Sequence, residues 1–402
     1  MLSLEEALDR ILLKIKPLSS ESILLSQAEG RVVSEALTAG ISLPPWDNSA
    51  MDGYAVQAAD LSSASAKNLV SLKCLGETPA GSSSKIEVMP GTCLRIFTGS
   101  PMPKGADAVV MQEDTQKREG DVSSVLVMDS VQPFESVRFC GEDVKEGDTL
   151  VIPGTRMSGF HASLAAATGL ERCEVFHRPR VGILATGSEL CEPGQPLSPG
   201  GIYESNRLLL KSLVQRAGCE PVVYPIIEDT LEATCAALSS AAKECDALVT
   251  SGGVSVGDYD FIKPAFESLG GNIDFWRIRV KPGKPLVFGE IQSVPVFGLP
   301  GNPVSATVTF TLLVHAALAQ MGGVTNFRHT FSLGRLTETF NNPGDRRLFL
   351  RVQMDESRNI RRSGTNQASH ALGSLAASDG LVSVPEKSTL DSGTQARVLL
   401  WP

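Results

Sequence analysis

The 402-residue chain lacks the residue patterns that mark several large protein classes. Its eight cysteines contain no CxxC pair and its five histidines no HxxxH, which excludes a sequence-encoded zinc cluster or disulfide framework. No excess of basic residues is present: 36 Lys and Arg face 45 Asp and Glu, a net charge of -9. That balance argues against a general nucleic-acid or membrane-surface binder, so any anionic ligand has to be drawn in by local basic groups. No apolar run reaches the roughly 18 residues of a membrane span. The opening MLSLEEALDRILLKI lacks a basic start and an apolar stretch, so it does not read as a signal peptide. A cytoplasmic location is expected. The usual nucleotide signatures are missing too. There is no GxxxxGK[ST], since Gly283-Lys284 precedes a proline, and no GxGxxG after a strand; GVSVG at 253–257 has the GxSxG spacing but is not read as a hydrolase elbow.

What is present suits a soluble globular protein of two to four domains, with 42% hydrophobic and 20% charged residues. The first residues read as an amphipathic helix with a capping box from Ser3 to Glu6. From about 180 to 322 short apolar runs alternate with helical patterns. VGILATG, PVVYPII and DALVTSGG read as buried strands, with helices at YESNRLLLKSLVQRAG, stopped by Gly218, and at TLEATCAALSSAAKEC, with Asp229 and Glu232 as its capping box. Asp258 or Asp260 is expected to begin a further helix, and Asn302-Pro303 to start VSATVTFTLLVHAALAQ. This rhythm predicts an α/β domain with a mostly parallel sheet and helices on both faces. Its ligands are expected beyond the carboxyl ends of the strands, at loops 186–189, 250–260 and 298–302. The flanks, rich in Gly, Pro and short alternating runs, predict small β-rich domains and a barrel-like C-terminal β domain.

Four stretches can carry chemistry. In TSGGVSVGDYD, Gly252 and Gly253 let backbone amides approach a phosphate. Asp258 and Asp260 on the same loop suit a divalent cation of the Mg²⁺ type, held by carboxylates and substrate phosphates; either could instead simply cap a helix. VKPGKP sets Lys281 and Lys284 on a rigid turn, after Arg277 and Arg279, a local positive site fit for a tetrahedral oxyanion; a solvated loop is the plain alternative. GLPGNPVSA opens a helix whose free amides and Ser305 hydroxyl could face an anion, or it is only a capped helix start. PPWDNSAMDGYA, with Asp47 and Asp52, has no periodicity and reads as an exposed turn or a loop shaped for a partner.

These stretches, with TGSPMPKGADAVVMQE and RFCGEDV and in this order, resemble the motifs of the MoeA and gephyrin E-domain family of molybdopterin molybdenumtransferases, over nearly the whole chain. The resemblance implies binding of adenylylated molybdopterin, Mg²⁺-dependent release of AMP, and insertion of molybdate to give molybdenum cofactor. It implies a homodimer of four-domain subunits, whose further partners are a molybdopterin adenylyltransferase and acceptor molybdoenzymes. On its pattern the domains are 21–45 with 140–172, 46–139, 1–20 with 173–326, and 327–402. By motif, Asp258, Asp260, Glu189 and Asp229 are implied metal ligands. Asp260, Asp229 and Glu189 are also implied catalytic acids, together with Asp52 and Asp143, which would reach a partner's cleft. Thr186, Gly187, Ser251, Gly252, Gly253, Ser255, Pro300, Gly301 and Asn302 are implied to bind the molybdopterin substrate. Lys281, Lys284 and Ser305 are implied to bind molybdate, with Arg351 and Ser369 from the last domain. Ser188 departs from the pattern, where many members carry an acid or Asn. An adenylyltransferase-like enzyme on the same α/β module and a non-enzymatic scaffold of the gephyrin E-domain type are the alternatives.

Overall fold

The structure, a computed structural model, describes residues 1–82, 84–118, 121–254 and 260–401. Its centre is a six-stranded sheet in the order Glu220–Ile227, Arg180–Thr186, Ala247–Ser251, Val294–Leu299, Val287–Ile291 and Asn272–Trp276. The first four strands are parallel and the last two antiparallel. Strand pleating sends Val181, Ile183 and Val249 to one face and Leu184 and Leu248 to the other. The first face packs against the helices Asn206–Arg216 and Pro303–Met321 and against Ala7 and Ile11 of Leu4–Lys14. The second packs against Leu231–Ala241 and Ile262–Ser268. The strand order reverses between Arg180–Thr186 and Ala247–Ser251, which remain parallel, and α/β folds open a ligand crevice at such a point.

The first helix is capped as its sequence predicts, with Ser3 and Glu6 each bonding the other's backbone N–H. Two other helix starts differ. Thr230, not Asp229, caps Leu231–Ala241, its side chain accepting from the Ala233 N–H. Phe261 stands at the start of Ile262–Ser268, so Asp260 lies one residue outside the helix, and Asp258 falls outside the described residues. At the first of these the nearest acid, Asp229, is left out of the cap.

The helix Pro303–Met321 spans 19 residues at a mean hydropathy of 1.5 and is long and apolar enough to cross a membrane. This corrects the sequence expectation. Its hydroxyl residues, which interrupt the apolar run, turn inward or back onto the helix, as Thr309 does onto the Ser305 carbonyl. The helix is 89% buried inside the protein and serves as the core of the central unit. It carries a π turn at Phe310–Val314.

Three smaller units surround this core. Ser20–Leu24 pairs antiparallel with Arg172–Phe176, and these strands pack with Val151, Met157 and Ala165 into one small core. The strand Arg172–Phe176 thus straddles the expected boundary at 172. A six-stranded sheet over Gly53–Val56 to Asp121–Val127 forms the second unit. Gly53 is required there, because a Cβ would meet the Val110 carbonyl oxygen at 2.0 Å. The last unit is a closed barrel: Arg347–Met354, Asn359–Arg362, Phe331–Leu336, Gln395–Leu400 and Gly380–Val384 pair in turn, and the fifth pairs back to the first. Val280–Lys281 adds to Arg347–Leu348 and fastens this barrel to the central unit.

His315, on the helix Pro303–Met321, stands edge-on to Phe327 at 4.7 Å, and its buried Nδ1 has no hydrogen-bond partner among the described residues. Burial and the neighbouring His329 push its imidazole down to about 4. The unfolded chain therefore takes up this proton first as pH falls. The contribution to stability is complete above the ordinary value of 6.5 and is lost toward pH 4, up to about 3 kcal/mol. Urea midpoints between pH 4 and 7 should fall more steeply for the wild type than for His315→Asn; parallel curves would contradict this account.

Candidate functional site

The loops that leave the carboxyl ends of the parallel strands are built from residues that permit close backbone approach. Gly252 and Gly253 follow the strand Ala247–Ser251 with φ of +89° and +66°. A Cβ on Gly252 would stand 2.7 Å from the Thr186 carbonyl oxygen. Only glycine brings these two strand ends together without strain. The third loop touches them as well, since a Cβ on Gly301 would be 3.6 Å from the Gly252 Cα.

Together the loops line an open cleft of about 710 Å³. Thr186, Gly187, Ser251, Gly252, Gly253, Pro300, Gly301 and Asn302 all border it, as do Glu189, Asp229 and Asp260. Freed from the helix cap, Asp229 accepts the Ser188 N–H at 2.7 Å and turns toward the cleft. Ser188 meets this carboxylate through its backbone N–H, a contact that any residue at this position except proline can make. Among the described residues, no lysine or arginine lines the cleft, and His370 is its one group able to carry positive charge. The cleft is therefore an acidic crevice walled by glycine backbone.

The basic groups stand at one edge of it. The Lys281–Lys284 turn rests on the helix Pro303–Met321, where a Cβ on Gly283 would lie 2.6 Å from Thr309 and 3.7 Å from the Ser305 carbonyl. Both lysines are exposed and Ser305 is buried. Asn302 does not cap its own helix with its side chain. Its Nδ2 donates to the Ser369 hydroxyl at 3.1 Å, while the Val304 N–H donates to the Ser369 carbonyl. The C-terminal barrel thus closes part of the helix start. Pro285 and His370, the chain neighbours of Lys284 and Ser369, line the cleft itself.

Three family models match the chain in succession: the MoeA N-terminal region (domain I and II) over residues 2–169, a probable molybdopterin binding domain over 182–320, and the MoeA C-terminal region (domain IV) over 334–401. A molybdopterin molybdenumtransferase 2 of Mycobacterium tuberculosis is 38% identical over 380 residues, 93% of each chain. The chain belongs to the MoeA family. A molybdopterin molybdenumtransferase of Nostoc is 34% identical over 95% of this chain and 89% of its own. The structure of a molybdopterin biosynthesis moeA protein from Pyrococcus horikoshii OT3 superimposes with a TM-score of 0.86 at 32% identity, covering all of both chains.

Several residues implied by the MoeA motifs stand elsewhere than expected. Arg351 is fully buried. Its Nε donates to Ser374 and its second terminal nitrogen to the carbonyls of Asn366 and Ala368, while Nη1 has no partner. It braces the 366–370 loop from behind instead of facing an open pocket. The Gly252 N–H is taken by the Leu299 carbonyl at 3.2 Å, which removes one of the two expected phosphate donors. Among the described residues the Gly253 N–H makes no hydrogen bond. Asp52 and Asp143 are exposed and do not line this cleft. Asp52 is fixed by the Thr98 N–H and hydroxyl, both at 2.8 Å, and the backbone bond followed by the hydroxyl lowers its pKa. Ser255 and Asp258 lie outside the described residues.

Sequence reading missed Asn206, Glu204 and His370, which all line the cleft. Glu204 is buried against Arg207, with Nε at 2.9 Å. His370 follows Ser369 directly, and Asn206 begins the helix Asn206–Arg216; their signal was position at loop ends, without a motif. Gly252→Ala places a Cβ against Thr186 in a left-handed conformation, and should lower the unfolding free energy in urea by about 1–3 kcal/mol. An unchanged midpoint would show that the loops do not need this approach.

Proposed function

We propose that this protein inserts molybdate into adenylylated molybdopterin and releases AMP, with Mg²⁺ as its cation. The observation that carries this reading is the pairing of an acidic crevice with a basic turn at its edge. A phosphoanhydride cannot settle among Glu189, Asp229 and Asp260 without a cation, whereas a molybdate dianion needs lysine. Among the described residues no three metal-binding side chains converge on one point. That fits Mg²⁺, which commonly takes one or two carboxylates and completes its shell with water and phosphate oxygens. Of Asp260, Asp229, Glu189 and Asp258, one or two would hold it directly and the others through water. When bound, the ion neutralises charge that develops on the phosphoryl oxygens.

The chain's own groups supply the rest. Gly253, Ser251 and Thr186 bind the pyrophosphate, as Ser255 would, with Gly301 and Asn302 on the opposite wall. Lys281, Lys284 and Ser305 hold molybdate, with Ser369 closing the pocket and Arg351 steadying it from behind. Asp260 orients the attacking oxygen, of molybdate or water. Attack by water bonds its oxygen to the adenylyl phosphorus, passes its proton to Asp260 and breaks the bridging P–O bond, giving AMP and leaving molybdopterin with its own phosphate. Attack by molybdate gives an adenylyl–molybdate ester first, which water then hydrolyses to AMP. No side chain is required as a covalent nucleophile.

The site is completed by a second copy of the chain. Asp52 and Asp143 lie away from their own cleft, and Phe160, Leu208 and Ile152 expose 88%, 74% and 65% of their surface, apolar area that a homodimer would cover. A molybdopterin adenylyltransferase upstream and molybdoenzymes downstream are its proposed partners, in the cytoplasm.

Purified protein supplied with adenylylated molybdopterin, molybdate and Mg²⁺ should form molybdenum cofactor and release AMP; no AMP release would overturn the reading. Asp260→Asn should slow AMP release by about 100-fold, the lower end of what an oriented acid contributes. Lys284→Ala should raise the molybdate concentration for half-maximal rate by about tenfold and spare AMP release at saturating molybdate. An unchanged molybdate dependence would remove the lysine turn from the anion pocket.

A further inference from the structure

Asn206 joins the loops that end two neighbouring strands. Its Nδ2 lies 2.7 Å from the Ser251 hydroxyl oxygen and 2.6 Å from the Gly301 carbonyl oxygen. The carbonyl can only accept, so the nitrogen of the amide must be the atom that faces it. Both amide hydrogens are then used, one on each oxygen. Oδ1 points away, buried and without a donor. The side chain as a whole is buried at the cleft wall.

This arrangement has a consequence for Ser251. A hydroxyl has one hydrogen and two acceptor positions. Its oxygen already accepts from Asn206, whose nitrogen cannot take a proton in return. Among the described residues Ser251 has no side-chain bond other than this one. Its proton is thereby left for the cleft, where the oxygen of an anion can receive it. The second amide hydrogen occupies one acceptor position of the Gly301 carbonyl and offsets part of the negative charge that would otherwise oppose an anion in the same place.

We propose that Asn206 is a positioning residue that sets the polarity of the phosphate site: it makes Ser251 a donor toward the cleft and screens the Gly301 carbonyl. The proposal rests on the reading that the substrate's pyrophosphate occupies this loop. Asn206 itself touches neither the pyrophosphate nor the reacting atoms. The role is specific to polarity and not to shape. An isosteric carboxylate would draw the Ser251 proton inward and set negative charge against Gly301.

The test is the dissociation constant of inorganic pyrophosphate, measured by calorimetry with Mg²⁺ for the full chain and variants whose thermal unfolding matches the wild type. Ser251→Ala should weaken binding about tenfold, the size of a hydrogen bond to a charged group. Asn206→Asp should weaken it more than Asn206→Ala, although aspartate fills the same volume. The effects of Asn206→Ala and Ser251→Ala should combine to much less than their product, because both remove the same donor. A purely structural role predicts the opposite order, with Asn206→Asp the milder change, and independent effects; either result overturns the proposal. If Asn206→Asp does not fold, Asn206→Ala combined with Ser251→Ala decides by the same cycle. If Ser251→Ala leaves pyrophosphate binding unchanged, the pyrophosphate does not lie on this loop, and the functional reading fails first.

Discussion

The proposed site depends on one electrostatic constraint: on this reading an anionic substrate has to enter a crevice whose acidic walls are carboxylates. Glu189, Asp229 and Asp260 border the cleft, and among the described residues no lysine or arginine does. In a chain of net charge -9 the mean field adds to this opposition. On the proposed reading, binding is assembled from a cation between the acids, uncharged donors on the loops, and a basic edge kept apart from the acids. Each of these occupies its own part of the fold. The acids stand on strand-end loops, the donors around Gly253 and Ser251, and the lysines on a turn carried by the seam with the barrel.

That seam explains why the flanking units matter to a site in the central domain. Val280–Lys281 pairs with the barrel strand that contains Arg351, and Ser369 engages both Asn302 and Val304. The proposed molybdate pocket is thus shared between two units, and the buried Arg351 ties the 366–370 loop to the barrel's interior. A rigid loop holds an anion at lower entropic cost than a mobile one. The second unit, where Thr98 fixes Asp52, presents its acid away from this cleft.

Much of this was legible in the sequence. Alternation of apolar runs with helical periods gave the central sheet and its helices, because strand pleat and helix pitch leave separate marks. Glycines at 252 and 253 marked a close backbone approach, expected toward a phosphate; the structure shows their left-handed φ and the approach of Gly252 to Thr186. What sequence could not separate was a capping acid from a site acid. Asp229 precedes a helix as a cap would, and the cap is Thr230, one residue later; that shift releases the carboxylate into the cleft. Likewise Asn302 had the place of an N-cap, yet its amide reaches Ser369, some 67 residues on. Asn206, Glu204 and His370 carry no motif and became visible only when three loops met. The buried state of Arg351 was hidden because a short FLR run does not tell which side of a barrel strand faces inward.

The claim that a cation reconciles an acidic cleft with an anionic substrate can be measured without turnover. Calorimetric titration of adenylylated molybdopterin into the protein, with Mg²⁺ and then with a chelator, isolates that term. The account predicts firm binding with Mg²⁺ and a loss of about 100-fold or more without it, the order of two uncompensated charge contacts. Equal affinity in the chelator would contradict it, and would mean that the carboxylates of the cleft do not face the phosphates at all.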